Sequence, residues 1–95
     1  MKLASKACAY HILVKTEQEC LAIKDKLAKG GDFNKLAKQY STCPSRKRGG
    51  DLGEFNRGDM VKQFDDVVFK KPLFDVHGPV KTKFGYHLIK TVYRN

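Results

Sequence analysis

The last third of the chain limits the fold most. Gly78–Thr82 and Tyr86–Tyr93 both read as strands, and only the tight turn Lys83-Phe84-Gly85 separates them. A connection this short joins antiparallel neighbours, because a parallel pair needs a crossover of about a dozen residues or more. Upstream, Ala7–Lys15 reads as a strand with Tyr10, Ile12 and Val14 on one face and His11 and Leu13 on the other. Thr16-Glu17-Gln18-Glu19 has the capping-box pattern and opens a helix carrying Cys20, Ile23 and Leu27, which stops at Gly30-Gly31. Asp32 caps a second helix, in which Phe33, Leu36, Ala37 and Tyr40 recur on one stripe. Ser41–Gly50 is a polar, basic loop, and Asp51–Phe55 is a short strand. A third helix is expected from Met60 to about Phe69, capped by Asp59, with Met60, Phe64 and Val68 on one stripe. Lys70–His77, which contains Pro72, connects it to the final strand pair. The order β-α-α-β-α-β-β predicts an α+β domain: a four-stranded, mostly antiparallel sheet with helices packed around it.

Ninety-five residues, 1–95, make a single domain. The net charge is +9, from 19 Lys and Arg against 10 Asp and Glu, and it is spread along the chain. Such a field favours solubility and weak, salt-sensitive contact with nucleic acid or acidic proteins. No helix loaded with Lys and Arg on one face and no aromatic stacking array accompanies it, so nucleic-acid binding ranks as a side activity. The three cysteines, Cys8, Cys20 and Cys43, are widely spaced and form no C-x-x-C. They fit neither a disulfide framework nor a zinc site, and reduced thiols in the cytoplasm are expected. The opening Met1-Lys2-Leu3-Ala4-Ser5-Lys6-Ala7-Cys8 has the small residues and Cys of a bacterial lipoprotein leader. Lys6 interrupts it and the apolar core is missing, so no signal peptide is expected. No stretch has the length of a membrane span. Nothing in the sequence demands more than a monomer.

Four segments carry a family resemblance. His11-Ile12-Leu13-Val14-Lys15 resembles the opening strand of the parvulin prolyl isomerases, and Gly50-Asp51-Leu52-Gly53-Glu54-Phe55 resembles their GDLGxF signature. Gly58-Asp59-Met60-Val61-Lys62-Gln63-Phe64 is similar to their GxMvxxF segment. Gly78-Pro79-Val80 followed by Phe84-Gly85-Tyr86-His87 is similar to their closing strands. The matches are collinear and cover nearly the whole chain, as in the small bacterial parvulins. The resemblance implies the parvulin (FKBP-like) superfold and peptidyl-prolyl cis/trans isomerase activity on proline-containing polypeptides.

By the same resemblance, Leu52, Met60 and Phe64 form an apolar cup for the substrate proline ring, and Phe84 gives it a more apolar rim than in some relatives. His11 and His87 are a buried pair at the base, Thr82 hydrogen-bonds within that pair, and Cys43 lies beside the isomerising bond. These roles suit the chemistry. Rotation about an X-Pro bond must break amide resonance, but no bond is made or cut, so neither metal nor cofactor is required. A site that binds the twisted amide better than either planar form is sufficient. A nucleophilic Cys43 is the competing idea; because the family accepts Asp at this position, a polar role is expected instead. Each residue also has a plainer reading. Met60 and Phe64 at helical spacing are ordinary core positions, the histidines are satisfied packing residues, and Thr82 is a cross-strand pair.

Arg46-Lys47-Arg48 is the densest cationic run and precedes the signature directly. Phosphate-directed parvulins carry a long basic loop between first strand and first helix. Here only Lys15 and Thr16 separate them, so no phosphate requirement is expected. The cationic run either favours acidic substrate or is simply solvated. A non-catalytic peptide-binding chaperone module of the same fold is the alternative function.

Overall fold

The computed structural model describes residues 4–95. The reading of Met1-Lys2-Leu3 as free of a leader therefore concerns residues outside those described. The elements are β1 (Lys6–Val14), α1 (Glu17–Ala28), α2 (Phe33–Tyr40), a 3-10 turn (Pro44–Arg48), β2 (Asp51–Asn56), α3 (Lys62–Lys70), β3 (Val76–Thr82) and β4 (Gly85–Arg94). The sheet order is β2-β1-β4-β3, and every adjacent pair is antiparallel. The expected α+β architecture is the one found. β1 and β4 form the centre, paired from Ala7↔Arg94 to Val14↔Tyr86.

The alternation of β1 divides the core in two. Ile12 and Val14 join Leu88, Cys20, Ile23, Phe33 and Ala37 in an apolar cluster under α1 and α2. Ala7 and Ala9 join Ile89, Phe55, Phe64, Val67, Val68 and Phe69 under α3. The helix starts follow local chemistry. The Thr16 hydroxyl accepts from the Glu19 amide at 3.1 Å, capping the helix, and donates to the Glu19 carboxylate at 3.0 Å, so Glu19 reaches back to the cap's hydroxyl and not to its backbone N–H. The Asp32 carboxylate accepts from the Lys35 amide at 3.0 Å.

Four expectations need correction. α3 begins at Lys62, not Met60, because the Asp59 carboxylate accepts from the Asn56 amide at 2.9 Å in the preceding turn and so is not its cap. Met60 thus lies outside the helix that holds Phe64 and Val68. Tyr40 ends α2 at 39% exposure, facing solvent at the helix end and not the core. β3 starts at Val76, inside the expected connection, because Val76 and His77 already pair with Lys90 and Ile89. The loop after α2 contains a 3-10 turn, begun by Pro44 and ended by Gly49 in the left-handed region.

Candidate active site

Between the sheet and the start of α3 lies a cavity of about 410 Å³. Its base is His11 and His87, from the central strands, and one side is Leu52, Met60, Val61 and Phe64. Thr42, Cys43 and Pro44, entering the 3-10 turn, form the opposite wall with Leu13, and Phe84 stands at the rim. Seven of the eight singled-out residues thus line one space. The eighth, Thr82, stands behind His87.

His11 and His87 are both buried, and their Nδ1 atoms are 3.1 Å apart. Thr82 Oγ1 lies 2.7 Å from the other nitrogen of His87, and it accepts from the Phe84 amide at 3.1 Å. The Nδ1 contact is a hydrogen bond only when one ring donates and the other, unprotonated at Nδ1, accepts. Burial drives both pKa values down to about 4, and for His11 the neighbouring His87 adds to the effect. Phe64 packs edge-on against both imidazoles, with centroids 5.5 Å from His11 and 5.3 Å from His87. His11 Nε2 is buried and has no partner. The pair is a neutral, aromatic floor that retains polarity without charge.

Glycines fix this floor from both edges. Gly50, at φ +89°, comes so close to β1 that a Cβ would lie 2.5 Å from the His11 carbonyl oxygen. Its own carbonyl accepts from the His11 amide at 3.0 Å. Gly78 crowds the His87 carbonyl from β3 in the same way. A side chain at either position would push a histidine strand aside.

The Cys43 wall is stitched to β1. The buried Ser41 hydroxyl accepts from the Leu13 amide at 3.1 Å and from the Cys43 amide at 3.4 Å, and the Thr42 amide donates to the Leu13 carbonyl at 2.8 Å. Half-buried Cys43 is a free thiol. Leu13, Thr42, Pro44 and Val61 were not singled out from the sequence. Leu13 shares the His11 face of its strand, a signal that was present; the other three are brought in by loops whose paths depend on tertiary contacts. Among the described residues no group of three or more His, Cys, Asp or Glu is arranged to hold a metal ion, and no helix is long and apolar enough to cross a membrane.

Residues 10–92 match the rotamase family, the PPIC-type PPIASE domain, and the chain belongs to this family. It is 57% identical over 83 residues to the foldase protein PrsA of Geobacillus sp. (strain WCH70), covering 86% of this chain and 30% of that protein. The chain spans about 30% of the length of the first curated relatives it matches. Its fold is similar to the crystal structure of the peptidylprolyl isomerase PrsA from Bacillus anthracis, with a TM-score of 0.93 and 38% identity over 98% of this chain and 43% of that one. It is also similar to NmPin, the parvuline of Nitrosopumilus maritimus. That match has a TM-score of 0.82 and 46% identity over 94% of this chain and 97% of the other.

Proposed function

We propose that the chain is a peptidyl-prolyl cis/trans isomerase acting on X-Pro bonds in unfolded or flexible polypeptides. The observation that carries this reading is the joining, in one cavity, of an apolar wall with a neutral histidine floor. Leu52, Met60 and Phe64 hold the proline ring; Met adapts its shape and Phe offers a ring to pack on. With the ring held, the preceding carbonyl swings past Cys43 and the histidines. The uncatalysed barrier is about 18–20 kcal/mol and comes from amide resonance. A dry, weakly polar pocket favours the twisted amide, whose carbonyl carries less resonance charge than the planar forms. Thr82 holds the His87 ring, and His87 holds His11, so these three set shape and polarity and make no bond to substrate.

Cys43 acts through polarity in this mechanism. Cys43→Asp is expected to retain activity within about tenfold of the parent, and complete loss would revive a covalent route. A phosphate before proline is not required: α1 starts at Glu17, so only Lys15 and Thr16 link it to β1 and no long basic loop is present there. Three free thiols support a reducing cytoplasm as the working compartment. The charge of +9 supports weak, salt-sensitive contact with polyanions. The apolar lining also favours a second reading, a chaperone module that binds peptides without turning them over.

Exchange NMR on short X-Pro peptides, with X as Leu, Phe, Glu or phosphoserine, separates the two. Uncatalysed exchange takes tens of seconds, so acceleration is readily seen. Binding without acceleration for any X would leave only the chaperone reading.

A further inference from the structure

A cationic stretch borders the cavity. Arg46, Lys47 and Arg48 are exposed on the 3-10 turn that Pro44, itself a wall of the cavity, begins. Arg48 is partly committed, since its Nε donates to the Asp51 carbonyl at 3.3 Å. Lys83 stands at the rim with its ammonium 5.2 Å from the ring centroid of Phe84, which lines the cavity. Among the described residues, none of these four cations takes part in a salt bridge. The nearby carboxylates are turned to their own backbone: Asp51 accepts from the Gly53 amide at 2.8 Å and Asp59 from the Asn56 amide at 2.9 Å. Both of these carboxylates are engaged by backbone amides, and neither faces one of the four cations in a salt bridge.

We propose that Arg46, Lys47 and Lys83 determine specificity, selecting substrates with an acidic side chain beside the proline and disfavouring basic ones. The inference rests on the isomerase reading and adds a substrate class to it. A peptide whose proline fills the apolar cup must pass its neighbouring side chain over this rim. A carboxylate there meets two or three unpaired cations, whereas an ammonium meets only like charge. Each exposed pair contributes modestly, so discrimination comes from several cations together and weakens with salt.

The test measures kcat/KM by exchange NMR for three peptides that differ only in having Glu, Leu or Lys before proline. At low ionic strength the order Glu-Pro, Leu-Pro, Lys-Pro is expected, with about fivefold between the extremes. The double variant Arg46→Gln, Lys47→Gln is expected to bring the Glu-to-Lys ratio close to one, as is 0.5 M salt acting on the parent protein. Lys29→Gln with Lys71→Gln removes the same charge from exposed positions outside the cavity, and should leave the ratio as it was. Equal rates for Glu-Pro and Lys-Pro, with all three peptides accelerated, would overturn the specificity and leave the isomerase intact. A ratio that falls equally in the control variant would assign the preference to net charge and overturn the role of these residues. No acceleration of any peptide would remove the isomerase reading, and this inference with it.

Discussion

On the α1–α2 face of the sheet, Ile12, Val14 and Leu88 meet only apolar partners; on the α3 face, Ala7, Ala9 and Ile89 share the interior with buried His11, Thr82, His87 and Thr91. The same two central strands supply both faces, because successive side chains alternate. The first face is packed with apolar side chains. The second leaves a cavity and accepts buried polar groups, including unpaired His11 Nε2 and Thr91 Oγ1. Such groups cost stability. The contrast implies that the apolar face holds the fold while the polar one gives up stability for a site.

Leu88→Ala, at a fully buried position of the apolar face, gives the largest expected effect. It should lower unfolding stability by about 3 kcal/mol in urea titration, while the remaining folded protein keeps its kcat/KM. A comparable loss of kcat/KM in that folded fraction would break the division of labour between faces.

Acid gives the next largest effect, and it acts on the opposite face. His11 and His87 titrate at about 4 when folded, against 6.5 ordinarily. Between these values the unfolded chain binds more protons, so stability rises with pH across the window. It should be complete above about pH 6.5, fall steadily as the pH drops towards 4, and level off once the pH has passed below the folded values. Urea midpoints from pH 4 to pH 7 measure it, and replacing both histidines should flatten the profile. A profile already flat in the parent would mean that the rings are not held neutral.

The smallest effect sharpens the comparison within the α3 face. Met60 is half-buried on the cavity wall and outside α3. Met60→Ala should cost less than about 1 kcal/mol of stability but about tenfold in kcat/KM. Equal losses in both would make Met60 ordinary core.

Much of this was legible in the sequence, where local chemistry decides the outcome. The Thr16 and Asp32 caps, the face assignment along β1 and the antiparallel final pair depend on neighbours a few residues apart. Collinear motifs also allowed the cavity residues to be named, although spacing alone would have left Met60 and Phe64 as plain core. The errors fell where a side chain had two possible partners. Asp59 could cap a helix or close a turn, and it closes the turn. The 3-10 turn was read as loop, since its path depends on Gly50 pressing against the His11 backbone nearly forty residues away in sequence. No pattern within the segment records that contact.

The central pairing of β1 with β4 has a consequence for how the protein comes into being. Ala7 meets Arg94 and Val14 meets Tyr86, so the middle of the sheet cannot zip until strands made far apart in time are both available. During synthesis β1 emerges before its central partner β4 and must wait while α1, α2, β2, α3 and β3 are produced. Contacts of such long sequence separation slow folding and lengthen the exposure of sticky intermediates. A protein whose proposed work is to help other chains past slow steps is thus, by its own topology, held back until β4 has been made.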